Sequence, residues 1–260
     1  MSPTFLLQHV VLRTSSLARL EAFYHGVLGL AVSHPGPGVA EFSPRAGAAP
    51  LVIIHEEPTA LETPPRVAGL FHLALLVPDR PSLAAALVRL VGLQQPLQGL
   101  SDHGVSEAIY LADPDGNGIE IYRDRPQAEW PIDGDKVAMV TRRLNLDSLL
   151  SEVAPHPPEH PLENALFGHV HLSVTNLAQS DEFYRRELVL EVRQDNYAGA
   201  LFLAADGYHH HVAVNTWGGA RLGLPVRAAG LVEIAARSAT TKETRRVADP
   251  NGIPFVLTPA

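Results

Sequence analysis

Cysteine is absent from the chain. That excludes disulfides and thiolate metal sites, so any metal must be held by His, Asp or Glu. Long apolar runs are missing as well: no stretch approaches the roughly 18 uninterrupted apolar residues of a membrane helix. The N-terminal MSPTFLLQHV has neither the basic region nor the long apolar region of a secretory leader. A soluble cytoplasmic protein with no membrane partner is expected. Blocks of one charge sign are also lacking. The net charge of -8 is spread along the chain and its arginines form no basic stripe, which argues against nucleic acid as a partner. What is present is 260 residues of which 46% are apolar, enough for one large domain or two ordinary ones, and thirteen histidines whose roles need sorting.

Internal repetition decides the fold class. Residues 8–30 lie over residues 168–190 at a constant offset of 160, matching His9 with His169, Leu12 with Leu172, Phe23-Tyr24 with Phe183-Tyr184 and Leu28 with Leu188. A second repeat matches Gly69-Leu70-Phe71-His72 with Gly230-Leu231-Val232-Glu233, and Asp113-Pro114-Asp115-Gly116 with Asp249-Pro250-Asn251-Gly252. The order is therefore A-B-A-B. In the first unit Gln8 to Arg13 alternates as a strand. Ser15-Ser16 can cap a helix with apolar positions Leu17, Leu20, Phe23, Tyr24 and Val27, which Gly29 ends. Strands that include Val39-Ala40-Glu41-Phe42 and Leu51-Val52-Ile53-Ile54 follow. The second unit repeats the plan, with a strand from Phe71, a helix from Pro81 to Val91 and a stop at Gly92. Four βαβββ modules result, an α+β fold. The fourth is shortened, since Glu233 to Val256 spans 23 positions where His72 to Glu120 spans 48, leaving room for little or no helix. The expected division is a first pair of modules over 5–125 (5–57 and 69–125), a Pro-rich connector over 126–165, and a second pair over 166–260 (166–217 and 228–260). The connector's proline density disfavours strand and helix interiors, apart from a short helix at Leu146 to Val153; its His156 and His160 are read as exposed loop residues.

The stretch from Ser101 to Tyr122 concentrates chemistry: His103, then the apolar run Ile109-Tyr110-Leu111, the turn Asp113-Pro114-Asp115-Gly116-Asn117-Gly118, and a strand Ile119-Glu120-Ile121-Tyr122. Glu120 shares its strand face with neither isoleucine. Taken alone it points either to solvent or into a polar-lined cavity. Asp113 and Asp115 are turn-makers.

The repeated βαβββ units, the Phe-Tyr late in each A-unit helix and the segment Asp113 to Glu120 resemble the vicinal oxygen chelate superfamily, which includes glyoxalases, bleomycin resistance proteins and extradiol dioxygenases. The resemblance covers nearly the whole chain and implies modules that pair into two cupped mixed-sheet barrels. His103, Ile109, Tyr110, Asp113-Pro114, Gly116 and Glu120 resemble more narrowly the signature of extradiol ring-cleaving enzymes; Ser101, where Gly is usual, departs from it. Among four-module members the chain looks most like bacterial catechol 2,3-dioxygenases. That resemblance implies Fe(II), or Mn(II) in its place, held by His72, Glu120 and a histidine from an A unit, either His169 or the repeat-equivalent His9. His169 is preferred, because the third unit also carries His210 at the position of the family's acid/base histidine, whereas the first unit has Pro50 there. The same resemblance gives Tyr110 a hydrogen bond to substrate and His103 a supporting role, and it implies a small aromatic diol and dioxygen as reactants and a muconic semialdehyde as product. Exposed sheet edges in this family often pair subunits, so a homo-oligomer is expected.

His171, two residues from His169, shares its face and is expected beside the substrate. Strand alternation points His209 and His211 away from the side that His210 faces. Two rival functions use the same scaffold. A glyoxalase-like isomerase or transferase takes a fourth ligand, for which His55 is the candidate. A metal-free binding protein would hold an aromatic compound or antibiotic between its sheets.

Overall fold

Alternating apolar residues set the opening strand of every unit: Phe5–Thr14, Gly69–Leu76, Leu166–Ser173 and Gly230–Ser238. These strands form the centres of two sheets in the computed structural model, which describes residues 3–260. One sheet has seven strands, in the order Arg245–Ala248, Pro254–Pro259, Gly230–Ser238, Phe5–Thr14, Val52–Glu56, Val39–Ser43 and Ala31–Gly36. The other has nine: Arg142–Arg143, Gly99–Asp102, Ser106–Ala112, Gly118–Asp124, Gly69–Leu76, Leu166–Ser173, Val212–Asn215, Ala200–Ala204 and Glu191–Gln194. The fold is α+β with curled mixed sheets.

The sheets do not group the units in chain order. The first unit shares a sheet with the fourth, through Phe5–Thr14 antiparallel to Gly230–Ser238, and the second with the third, through Gly69–Leu76 antiparallel to Leu166–Ser173. Sequence similarity says which units are alike, whereas edge-to-edge pairing follows where each linker carries the chain. Here the linker after the first unit crosses from one sheet to the other and the linker after the third returns. The two run side by side, bridged at Leu61 to Ala228 and at Val67 to Leu222.

Helices cover one face of each sheet. Arg80–Gly92 starts with its Asp79 side chain accepting from Ser82 N at 2.8 Å, and Leu177–Glu187 starts with Asn176 accepting from Gln179 N at 3.1 Å. The first unit departs from its expected cap. The Ser16 side chain makes no capping bond, and Leu17 N is instead bound by Glu56 Oε1 at 2.9 Å. After Leu17–Glu21 the backbone widens into a π-helical turn over Ala22–Val27, with Leu28 N bonded to Phe23 O at 3.0 Å. The fourth unit has only turns between Ser238 and Arg245. One apolar cluster, including Phe5, Leu73, Val170 and Ile234, joins all four units beneath the helices. No helix among the described residues is long and apolar enough to cross a membrane.

The connector is more ordered than its proline content suggests. It holds the expected short helix, at Leu146–Leu150, but also a hairpin of Ile132–Asp133 with Lys136–Val137, and Arg142–Arg143 extends the nine-stranded sheet.

Candidate metal centre

Three adjacent strands of the nine-stranded sheet build the site. Glu120 pairs with Ala74 in a parallel ladder, and Ala74 pairs on its other side with His169 in an antiparallel one. With a side-chain period of two, His72 and Ala74, Glu120 and Tyr122, and His169 and His171 all face the concave side. The intervening Leu73, Leu75, Ile119, Ile121 and Val170 face the helices and are buried in the core. Ala74 is the small residue over which the longer side chains converge. Tyr110 joins them from the next strand, in register with Glu120.

The ligating atoms of His72, Glu120 and His169 lie within 4.8 Å of one another, and all three residues are buried. His169 Nε2 is 3.0 Å from Glu120 Oε2. His72 Nε2 is also 3.0 Å from that oxygen, yet it is not aligned for a hydrogen bond and has no other partner. Burial alone would raise the Glu120 carboxyl, but the His169 and His72 imidazoles outweigh it and hold it well below the usual carboxylate range. Burial lowers His169 to about 4 against the pull of Glu120. At neutral pH Glu120 is thus a carboxylate beside the neutral His169 imidazole, and the buried His72 Nε2 is left without a hydrogen-bond partner. Such donors fit a hard or borderline divalent cation held on one face, with the other face open to the cavity. His9 lies elsewhere, on Phe5–Thr14 of the seven-stranded sheet opposite Ala235. His55 is exposed near the end of Val52–Glu56 in that same sheet, so it offers no fourth ligand here. His156 and His160 are exposed.

Above these residues opens a cavity of about 290 Å³, lined in part by Phe71, His171, Tyr197, Phe202, His210 and Trp217. His103 and Tyr110 also border it, joined by a bond of 2.7 Å between His103 Nε2 and the Tyr110 hydroxyl. His103 Nδ1 faces the Val140 carbonyl at 2.7 Å and must donate to it. With one proton on the ring, Nε2 then accepts from Tyr110. His171 is buried, pairs with His72 across the strands and is held well below its ordinary range by burial and by His72 and His169.

Two features escaped the sequence reading. The connector supplies Met139, Val140 and Thr141 to the cavity wall, and Gln194 clasps the Met139 backbone at both N and O, 3.1 Å each. Nothing in a proline-rich stretch marks such a role. The triple histidine also behaves differently from a strand. Val212–Asn215 begins only after His211, so alternation does not apply to these residues. His209 Nδ1 meets His210 Nδ1 at 2.7 Å, rather than pointing away from it.

The family model for the glyoxalase/bleomycin resistance protein/dioxygenase superfamily matches residues 6–121. The chain is 41% identical over 208 residues to a catechol-2,3-dioxygenase of Bacillus subtilis (strain 168), covering 78% of this chain and 72% of that protein. It is 30% identical over 140 residues to a biphenyl-2,3-diol 1,2-dioxygenase of Rhodococcus globerulus, covering 48% of this chain and 66% of that one. Solved structures share the fold at low identity. A Bacillus subtilis crystal structure has a TM-score of 0.62 at 12% identity, over 100% of this chain and 86% of that one. Glyoxalase I from Zea mays has a TM-score of 0.55 at 14% identity, over 98% and 92%.

Proposed function

The chain belongs to the glyoxalase/bleomycin resistance protein/dioxygenase superfamily, and from that premise we propose that it is an extradiol dioxygenase that opens the ring of a small catechol beside its two hydroxyls. The observation that carries this reading is the buried His72, Glu120 and His169 set, of which His72 and Glu120 line an aromatic-walled cavity. Those three residues would hold Fe(II), or Mn(II) in its place. When bound, the metal supplies a Lewis acid that acidifies the diol and a redox centre where diol and dioxygen meet.

The remaining residues act on the substrate. Phe71, Phe202 and Trp217 exclude water and offer ring faces and edges to an aromatic guest. Tyr110, whose proton is committed to His103, presents its oxygen as an acceptor for a substrate hydroxyl. His210 is held well below its ordinary range, by burial and then by His169 and His209, and is neutral at pH 7, so it can take a hydroxyl proton.

Anaerobic loading with Fe(II), then catechol and air, tests the proposal. A yellow semialdehyde should form, and its absence with catechol and with both 3- and 4-substituted catechols would defeat the reading. His169→Ala should lose bound iron and at least about a hundred-fold in activity, while His9→Ala keeps both. Iron lost from His9→Ala alone would remove His169 from the ligand set.

A further inference from the structure

His210 is anchored from behind by a chain of buried and partly buried side chains. Its Nδ1 lies 2.7 Å from His209 Nδ1, and His209 Nε2 lies 2.8 Å from Asp124 Oδ1. The other oxygen of Asp124 accepts from the Tyr208 hydroxyl at 2.9 Å, which in turn contacts the Tyr122 hydroxyl at 2.8 Å. His209 is fully buried, stacked against Tyr208 with ring centroids 4.0 Å apart and flanked by Trp130 at 5.1 Å. It lines no part of the cavity surface and makes its closest side-chain contact toward the cavity with His210, the His169 ring lying farther off at 6.2 Å between centroids.

Directionality follows from the acceptor at the end. A carboxylate oxygen only accepts, so His209 Nε2 carries the proton that bonds Asp124. With one proton on each ring, His209 Nδ1 is then a lone pair, and His210 Nδ1 must donate to it. His210 Nε2, which no protein group among the described residues hydrogen-bonds, is left unprotonated on a ring that borders the cavity. We propose that His209 and Asp124 are positioning residues that fix His210 in the Nδ1–H tautomer, so that its Nε2 offers a lone pair to the substrate hydroxyl. This rests on the dioxygenase reading for its catalytic consequence, though not for the tautomer itself. The opposite tautomer would present N–H to the hydroxyl and could not accept its proton.

Nitrogen-15 NMR of the metal-free protein, with His210 assigned by the loss of its signals in His210→Gln, reads the tautomer directly. The expected spectrum has a protonated Nδ1 and an unprotonated Nε2; a proton on Nε2 overturns the proposal. Kinetics of the iron-loaded enzyme supply the second arm. His209→Leu should lose about ten- to a hundred-fold in kcat with KM within about three-fold, as for the loss of a group that orients an active side chain. In His209→Asn the amide oxygen can take the place of Nδ1, and kcat should return to within about three-fold of the parent. Equal kcat in the Leu and Asn variants would show that His209 only fills space. If the parent itself cleaves no catechol the functional reading fails separately, and the spectrum still decides the tautomer.

Discussion

At the scale of single residues, the site is shaped as much by side chains that are missing as by those present. Gly168 precedes His169, and a Cβ there would lie 1.9 Å from the Tyr122 hydroxyl. Tyr122 is wholly buried and bonded to Tyr208, so it has nowhere to retreat. Gly168→Ala should therefore cost roughly 1–3 kcal/mol in urea unfolding. Removing the obstructing oxygen as well should recover part of that loss, making Gly168→Ala/Tyr122→Phe more stable than Gly168→Ala; a double variant less stable than the single one would show that the hydroxyl is not the obstacle. Gly118 is constrained in the same manner, its Cβ position falling 2.1 Å from the Phe71 carbonyl, whereas Gly116 adopts a φ of +85° in open space. Both fall in the turn read from the sequence after Leu111. Only Gly116 has the positive φ of such a turn, because the constraint at Gly118 comes from Phe71, 47 positions away on another strand, which no local pattern reveals.

At the scale of elements, a buried charge cluster fastens helix to sheet. Glu107, on Ser106–Ala112, is 2% exposed and receives Arg80 from the helix Arg80–Gly92 at 2.9 Å and Arg123 from the neighbouring strand at 2.7 Å. Burial alone would raise its carboxyl, but the bonds from Arg80 and Arg123 prevail and hold it below the ordinary value. A depressed carboxyl stabilises the fold fully above its unfolded value, about 4.3, and that stability is lost as pH falls through the folded value. Glu107→Gln should then cost about 1.5–3 kcal/mol at pH 7, the range for charged hydrogen bonds. The deficit should stay level down to about pH 5 and shrink below the unfolded pKa of about 4.3. Urea titrations across that range check it, and a deficit that persists unchanged in acid would mean that shape, not charge, is lost. Much at this scale was legible beforehand. The helices, the Asp113 to Gly118 turn and the strand carrying Glu120 follow from apolar period and turn chemistry. The site face was legible too, since His72, Glu120 and His169 occupy first and last strands of repeated units. The connector's share of the cavity wall was not, because Met139 and Thr141 are placed by Gln194 and by Tyr197, whose hydroxyl lies 2.8 Å from that of Thr141, and not by any pattern of their own.

For the whole molecule, the crossing of units between sheets poses a mechanical problem: each half is made of segments distant in sequence, and something must keep the halves in step. Two equivalent bonds join them. Tyr24, from the first unit, donates to Asp113 Oδ2 in the second unit's turn at 3.0 Å, and Tyr184, from the third, donates to Asp249 Oδ2 in the fourth unit's turn at 2.9 Å. Each links an element of one sheet to an element of the other, and all four side chains are buried. The Phe-Tyr and Asp-Pro matches that exposed the repeat are thus the two ends of a tie that occurs twice within this one chain. In Tyr24→Phe the Asp113 carboxylate keeps Asn117 but loses its hydroxyl partner, and Tyr184→Phe does the same to Asp249, which keeps Asn251. Each should cost about 1 kcal/mol, and the two should add to within about 0.5 kcal/mol because the ties share no partner. Since a single apolar core runs through all four units, unfolding followed by tryptophan fluorescence and by far-ultraviolet circular dichroism should coincide in the parent and in both single variants. The tryptophans, Trp130 and Trp217, both report on the side of the molecule that holds the nine-stranded sheet, lying in the connector and directly after Val212–Asn215. If fluorescence in Tyr24→Phe/Tyr184→Phe moved at a different urea concentration from the circular dichroism, the halves would have separated as units. Coincidence in the double variant would instead assign their coupling to the shared core rather than to the ties.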